Sequence, residues 1–211
     1  MQITIALAKG RLAEKAMDIL EQCGINCSEV RRDSRKLIFF DKQNDVRFIM
    51  VKPIDVPTYV DHGVADIGIV GKDTLLEAGL PLYEMADLKF AKCRLAVAGY
   101  PDKKDNSLTS SVKRVATKYP EIAKKFYAAK GESVECIKLN GSVELGPMLG
   151  LSDVILDIVE SGRTLKDNGL VIIEEICDVS ARLAVNRASL KIKAAVLKPL
   201  IERISQAVEE R

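Results

Sequence analysis

The sequence predicts an α/β fold on three observations. Short β-branched runs alternate with helical patterns along the chain, the order expected of a fold with mainly parallel strands. With 211 residues, 47% apolar and 29% charged, the chain can build one large domain or two lobes of roughly 100 residues, and wholesale disorder is excluded. Third, the string Arg94-Leu95-Ala96-Val97 returns as Arg182-Leu183-Ala184-Val185. Two copies do not make a solenoid. The echo is either a chance likeness of two apolar strands, or a pair of long strands crossing between two lobes, one leaving and one returning. In the second case lobe I is discontinuous, 1–92 plus 180–211, lobe II is 93–179, and ligand sits in the cleft between them.

Taken in order, Ile3–Ala8 is a first strand, and Lys9-Gly10-Arg11 turns into a helix over Leu12–Cys23. Leu37–Phe40 and Val46–Val51 are strands joined by the polar turn Asp41–Asp45, and a short helix through Tyr59 and Val60 follows. Ile67–Val70 is a buried strand, after which Gly71-Lys72-Asp73-Thr74 opens a helix with Asp73 or Thr74 as N-cap. Strands are expected at Lys113–Thr117, Cys136–Leu139, Val154–Ile158 and Leu170–Glu174, with helices at Glu121–Lys130, Val143–Leu149 and Thr164–Asn168. The stripe Leu190, Ala194, Leu197, Ile201, Ile204 and Val208 makes Leu190–Glu210 one core-packed helix.

Composition removes several functions. Lys and Arg number 32 against 30 Asp and Glu, so the net charge is +2 and no basic excess suits a nucleic acid or membrane surface. With no Trp and five each of Phe and Tyr, a base-stacking platform is not expected. The N-terminus lacks a basic n-region, so it reads as a strand and not a signal peptide, and no apolar stretch approaches a membrane span. Cys23, Cys27, Cys93, Cys136 and Cys177 contain no CxxC and read as reduced, mostly core thiols of a cytoplasmic protein. One histidine, His62, rules out a multi-His metal site; its place before Gly63 marks a helix end.

The chemistry concentrates in Asp157-Ile158-Val159-Glu160-Ser161-Gly162-Arg163-Thr164. A buried strand ends at an acid, and a Ser-Gly-x-Thr loop then enters a helix. Gly162 lets a ligand approach the backbone, while N–H groups and the hydroxyls of Ser161 and Thr164 face an oxyanion. Asp157 and Glu160 have the wrong sign for phosphate but suit sugar hydroxyls or a magnesium-bound diphosphate.

Acid, loop and hydroxyls together resemble the phosphoribosyl-diphosphate loop of phosphoribosyltransferases, although Leu156 stands where the purine-salvage type has its first acid. The wider pattern Glu144-x5-Gly150-x-Ser152-x2-Ile155-x-Asp157-Ile158-x2-Ser161-Gly162-x-Thr164-Leu165 resembles the signature of the ATP phosphoribosyltransferases of histidine biosynthesis. Lys9-Gly10-Arg11-Leu12, Asp55-Val56-Pro57, Asp66–Asp73 and Cys93-Arg94-Leu95 extend the likeness over essentially the whole chain, which is similar to the short form without a C-terminal regulatory domain.

That resemblance implies a two-lobed, periplasmic-binding-protein-like fold with a discontinuous first lobe and two crossover strands. It implies ATP and phosphoribosyl diphosphate as substrates, Mg2+ carried on the substrate diphosphate without a dedicated protein cage, and pyrophosphate as product. It also implies a homodimer within a larger hetero-oligomer containing a histidyl-tRNA-synthetase-like regulatory subunit, with neither nucleic acid nor membrane as partner. In this reading Asp157, Arg11 and Lys9 are catalytic. Gly141, Ser142, Glu144, Asp153, Glu160, Ser161, Gly162, Arg163, Thr164, Lys52 and Arg32 bind substrate, with Arg32 either reaching a neighbouring subunit's site or lying in a solvated loop. A passive solute-binding module on the same fold would not need the Asp-x-x-x-Ser-Gly-x-Thr cradle. A Walker-type ATPase fails because Asp66 and Asp73 occupy its glycine and hydroxyl positions.

Overall fold

The computed structural model describes residues 1–32, 34–101 and 112–210. In chain order its elements are β1 (Ile3–Ala8), α1 (Arg11–Gln22), β2 (Ile38–Asp41), β3 (Val46–Val51), a single 3-10 turn at Pro53–Asp55, α2 (Val56–Asp61), β4 (Ile67–Gly71), α3 (Lys72–Ala78) and β5 (Tyr83–Asp87). There follow β6 (Cys93–Gly99), β7 (Lys113–Thr117), α4 (Pro120–Ala129), β8 (Val134–Lys138), α5 (Leu145–Met148), β9 (Val154–Val159), α6 (Arg163–Asp167) and β10 (Val171–Val179). The chain closes with β11 (Ala181–Val185), α7 (Arg187–Ile192) and α8 (Ala194–Glu209). Two units result: Met1–Ala91 with Ser180–Arg211, and Lys92–Val179. The Arg94 copy of the echo lies in the second unit and the Arg182 copy in the first, each on the strand that follows a passage between units.

The first unit holds a six-stranded sheet in the order β2-β3-β1-β4-β11-β5. All six residues of β1 are buried because both its faces are covered. One face carries Ile5, Leu7, Phe48, Ile67 and Leu183 against α1 and the Leu197, Leu200, Ile201, Ile204 and Val208 stripe of α8. On the other, α2 approaches β4 so closely that a Cβ on Gly68 would lie 2.7 Å from both Val56 Cγ1 and Val60 Cγ2. Buried Asp66 accepts a hydrogen bond from the Thr4 amide at 2.8 Å and pairs with Lys193 Nζ at 2.7 Å. His62 is exposed at the C-cap of α2, before left-handed Gly63.

The second unit holds a five-stranded sheet in the order β10-β6-β9-β7-β8. Alternation along β6 sends Leu95 and Val97 to a core with Tyr119, Ile122 and Tyr127, and Ala96 and Ala98 to a second core with Ile155, Val159 and Leu165. The small side chains on that second face leave room above the sheet.

Four expectations are corrected. Both sheets are mixed: four strand pairings among the described residues are parallel and five antiparallel. The antiparallel ones arise where β2 and β3 form a hairpin and where the strands flanking the passages between units pair with their neighbours. The N-cap of α3 is Gly71, not Asp73 or Thr74, and a Cβ on Gly71 would lie 2.1 Å from Asp73 Oδ1. Lys193 breaks the C-terminal helix in two, held by Asp66 and by the Gln2 carbonyl at 2.7 Å. Strand β5 has no counterpart among the expected elements.

Candidate active site

Strand β9 delivers Asp157 half-buried, its backbone in register with Ala96 of β6. The strand stops at Val159, Glu160 and Ser161 turn outward, and Gly162 takes φ 74°, a left-handed conformation that costs a residue with a Cβ. Gly162 is the N-cap of α6; the Arg163 amide donates to Ser161 Oγ at 3.3 Å. The amides of Thr164 and Leu165 belong to the first turn, where a helix offers no carbonyl of its own. Loop and strand wall a pocket of about 210 Å3 whose floor is Ala96, Ala98 and Ile155, and whose rim carries Glu144, Asp157, Glu160, Ser161, Gly162, Arg163 and Thr164. Arg163 is largely exposed, with a loose contact of 3.6 Å to Asp167.

Seven of the expected residues therefore share one pocket. Gly141 and Ser142 lie upstream of Glu144 in the loop after β8, both exposed. No atom comes within 4 Å of the place a Cβ on Gly141 would take, and Ser142 sits at φ 47°. Asp153 is not brought to this pocket: it precedes β9 at the end of the strand away from the loop. There its carboxylate binds Arg114, with Nη2 at 3.0 Å and the backbone amide at 2.9 Å, while Arg114 Nη1 donates to the Gly150 carbonyl. Asp153 thus fixes the turn between α5 and β9 and leaves the pocket to the other acids.

The remaining cations belong to the first unit. Lys9 follows β1 and its amide donates to the Val51 carbonyl at 3.0 Å, so Lys9 and Lys52 extend from neighbouring strand ends. Gly10, at φ 107° and ψ −161°, then turns the chain so that Arg11 starts α1. Lys9, Arg11 and Lys52 are exposed, without an ion-pair partner among the described residues. Arg32 is exposed as well, whereas its neighbour Arg31 is bound by Glu21 and Asp18, whose hydrogen bonds raise its pKa further.

A model of one enzyme family, ATP phosphoribosyltransferase, matches residues 52–206. The chain belongs to the ATP phosphoribosyltransferase family. An ATP phosphoribosyltransferase of Caldanaerobacter subterraneus subsp. tengcongensis is 54% identical over 206 residues, covering 98% of this chain and 97% of that one. Another, from Thermoanaerobacter sp. strain X514, is 55% identical over 207 residues, covering 98% and 96%. Among solved structures, the ATP phosphoribosyl transferase (HisG:HisZ) complex from Thermotoga maritima matches with a TM-score of 0.87 and 36% identity over the whole of both chains. The periplasmic VFT2 domain of Bordetella pertussis BvgS matches at TM-score 0.56 and 12% identity over 99% of this chain and 92% of its own, which shows the periplasmic-binding-protein-like fold.

Within the ATP phosphoribosyltransferase frame, the pocket floor is what sequence reading passed over. Ala96 and Ala98 belong to the echo string, and their signal was present in it: two small residues at period two on one strand face.

Proposed function

We propose that the pocket of the second unit takes phosphoribosyl diphosphate, and that the enzyme transfers its phosphoribosyl group to N1 of ATP with release of pyrophosphate. This is the first step of histidine biosynthesis, and the chain is a pentosyltransferase. The observation that carries the assignment is the convergence of Asp157, Glu144 and the Glu160–Thr164 loop on one pocket. Loop amides and the Ser161 and Thr164 hydroxyls would hold the 5-phosphate, with Gly162 allowing close backbone approach. The carboxylate of Asp157, supported by Glu144 and Glu160, would hold ribose hydroxyls and face the positive charge that develops at the anomeric carbon as its bond to pyrophosphate breaks. N1 of adenine supplies the electron pair, so no protein nucleophile is required. Catalysis then rests on positioning and charge.

Lys9, Arg11 and Lys52 would meet phosphates of ATP or pyrophosphate, and Arg32 would serve a neighbouring subunit. Enzymes of this family use a metal ion. Among the described lining residues the groups able to ligate a metal are the oxygens of Glu144, Asp157, Glu160, Ser161 and Thr164, a set suited to magnesium. Among the described residues no group of three or more His, Cys, Asp or Glu could hold an ion. Asp157 and Glu160 would meet Mg2+ riding on the substrate diphosphate. Bound there, it would neutralise charge on the leaving pyrophosphate. No described helix is long and apolar enough to cross a membrane. The five scattered cysteines without a CxxC motif support placing the enzyme in the cytoplasm. The Thermotoga maritima HisG:HisZ complex supports a hetero-oligomer with a regulatory subunit; in this reading the chain forms a homodimer within it, and the regulatory subunit is histidyl-tRNA-synthetase-like.

Asp157→Ala and Arg11→Ala should each cut transfer to ATP by orders of magnitude, read by product absorbance and pyrophosphate release, with the fold intact by circular dichroism. Unchanged turnover in both would refute the assignment.

A further inference from the structure

Two arginines head the repeated string, and the structure treats them differently. Arg182 is spent on structure: Nη1 lies 3.0 Å from Glu84 and Nη2 3.1 Å from Asp87, with the side chain 16% exposed. Among the described residues Arg94 has one ion pair, Nε to Glu175 Oε1 at 3.0 Å, and its side chain is 38% exposed. That Nε is buried, and its approach to Glu175 is too far off the N–H axis to be a hydrogen bond. Neither Nη of Arg94 has a partner among the described residues. Nε is a buried unpartnered donor in both arginines; the difference is that two carboxylates occupy the Arg182 fork while the Nη groups of Arg94 stay open.

The reason lies in its position. Strand alternation puts Arg94 on the face that carries Ala96 and Ala98, the floor of the pocket. It stands in register with Val159, which lines the pocket, one residue before Glu160. Two residues along a strand are roughly 6.6 Å, within the reach of an arginine side chain. Among the described residues the pocket is lined by three carboxylates, Glu144, Asp157 and Glu160, and by one cation, the outward-facing Arg163. A ligand with several phosphate charges needs more positive potential than that.

We propose that Arg94 binds phosphate oxygens of the diphosphate group at the β6 side of the pocket, and that Glu175 is its positioning residue. The inference rests on the reading of this pocket as the phosphoribosyl diphosphate site. A free fork suits the purpose, because bidentate guanidinium contacts match phosphate geometry where an ammonium does not. The competing role is a strand clamp between β6 and β10. A clamp would shift the melting temperature and leave ligand affinity alone.

The test uses the full chain with Arg94→Ala, Arg94→Lys and Glu175→Gln. Steady-state kinetics give KM for phosphoribosyl diphosphate and for ATP, and titration calorimetry gives the affinity for inorganic pyrophosphate. Arg94→Ala should raise KM for phosphoribosyl diphosphate and Kd for pyrophosphate at least tenfold, with KM for ATP within twofold. Arg94→Lys should recover part of the loss, and Glu175→Gln should show a smaller rise in the same two constants. If Arg94→Ala does not fold, Arg94→Lys decides, with an expected rise of at least threefold. Constants within twofold of wild type in the folded Arg94 variants would overturn the proposal. Should the wild-type chain fail to use phosphoribosyl diphosphate at all, the reading of the pocket falls, and the pyrophosphate titration still judges Arg94.

Discussion

Replacing Gly162 by Ala separates the cost to the fold from the cost to the chemistry. At φ 74° a Cβ meets the following carbonyl, a penalty of about 1–2 kcal/mol. Nothing else resists the methyl: the nearest atom would be Val159 Cγ1 at 3.8 Å, an ordinary contact. For a chain of this size each kcal/mol moves the melting temperature by about 2–4 °C. The same methyl stands in the loop where a phosphate must approach the backbone. Losing two charge-assisted hydrogen bonds at about 1.5 kcal/mol each amounts to about 3 kcal/mol, or on the order of 10²-fold in kcat/KM. Gly131→Ala is the matched control, since Gly131 has φ 75°, open surroundings and a place at the far end of α4. Both variants should melt a few degrees below wild type, and only Gly162→Ala should lose kcat/KM for phosphoribosyl diphosphate. Near-wild-type catalysis in Gly162→Ala alongside the expected melting shift would refute the phosphate cradle.

Three further predictions concern the framework. Asp66→Ala leaves Lys193 without its buried partner and should destabilise the chain by about 3–5 kcal/mol in a urea titration; a loss below 1 kcal/mol would show the pair to be incidental. At Asp41, burial alone would raise the carboxyl pKa, but the Asn44 side chain and the amides of Asn26, Asn44 and Gln43 outweigh it and hold the pKa below its ordinary value. Its stabilisation is therefore present above about pH 4 and lost as pH falls through the depressed value, so Asp41→Ala should flatten the acid limb of stability against pH. Burial, aided by Glu21, pushes the Cys27 thiol up to about 12. Its contribution is present below the ordinary thiol range near pH 8.5 and fades as pH rises towards 12, and Cys27 should resist alkylation at pH 8 until the chain unfolds, as peptide mapping would show.

Where sequence reading succeeded, the information was local. The apolar run Ile3–Ala8 and the strand-loop-helix passage through Asp157 and Gly162 carry their conformation in adjacent residues. Its failures were non-local. Tyr83–Asp87 is a half-exposed, charged segment that becomes a strand through pairing with β11, nearly a hundred residues later. The bond between Asp153 and Arg114, 39 positions upstream, is likewise invisible in the local string. Lys193 breaks a well-formed helical stripe because Asp66 and Gln2 hold its ammonium. The pocket floor fell between the two cases: Ala96 and Ala98 were visible as small residues, but only the packed sheet shows what space they leave.

The place of β11 in the first sheet has a consequence for how the molecule is made. It sits between β4 and β5, so β5 has no partner until residues 181–185 have been synthesised. The second unit, Lys92–Val179, is contiguous and has all its sheet partners by the time its last strand emerges from the ribosome. Emergence therefore runs out of sequence order: the half that carries the pocket can close first, while the earlier-translated half waits with an open sheet edge. A stalled or truncated chain lacking its last thirty or so residues would leave that edge exposed as a docking point for chaperones and for other unfinished copies.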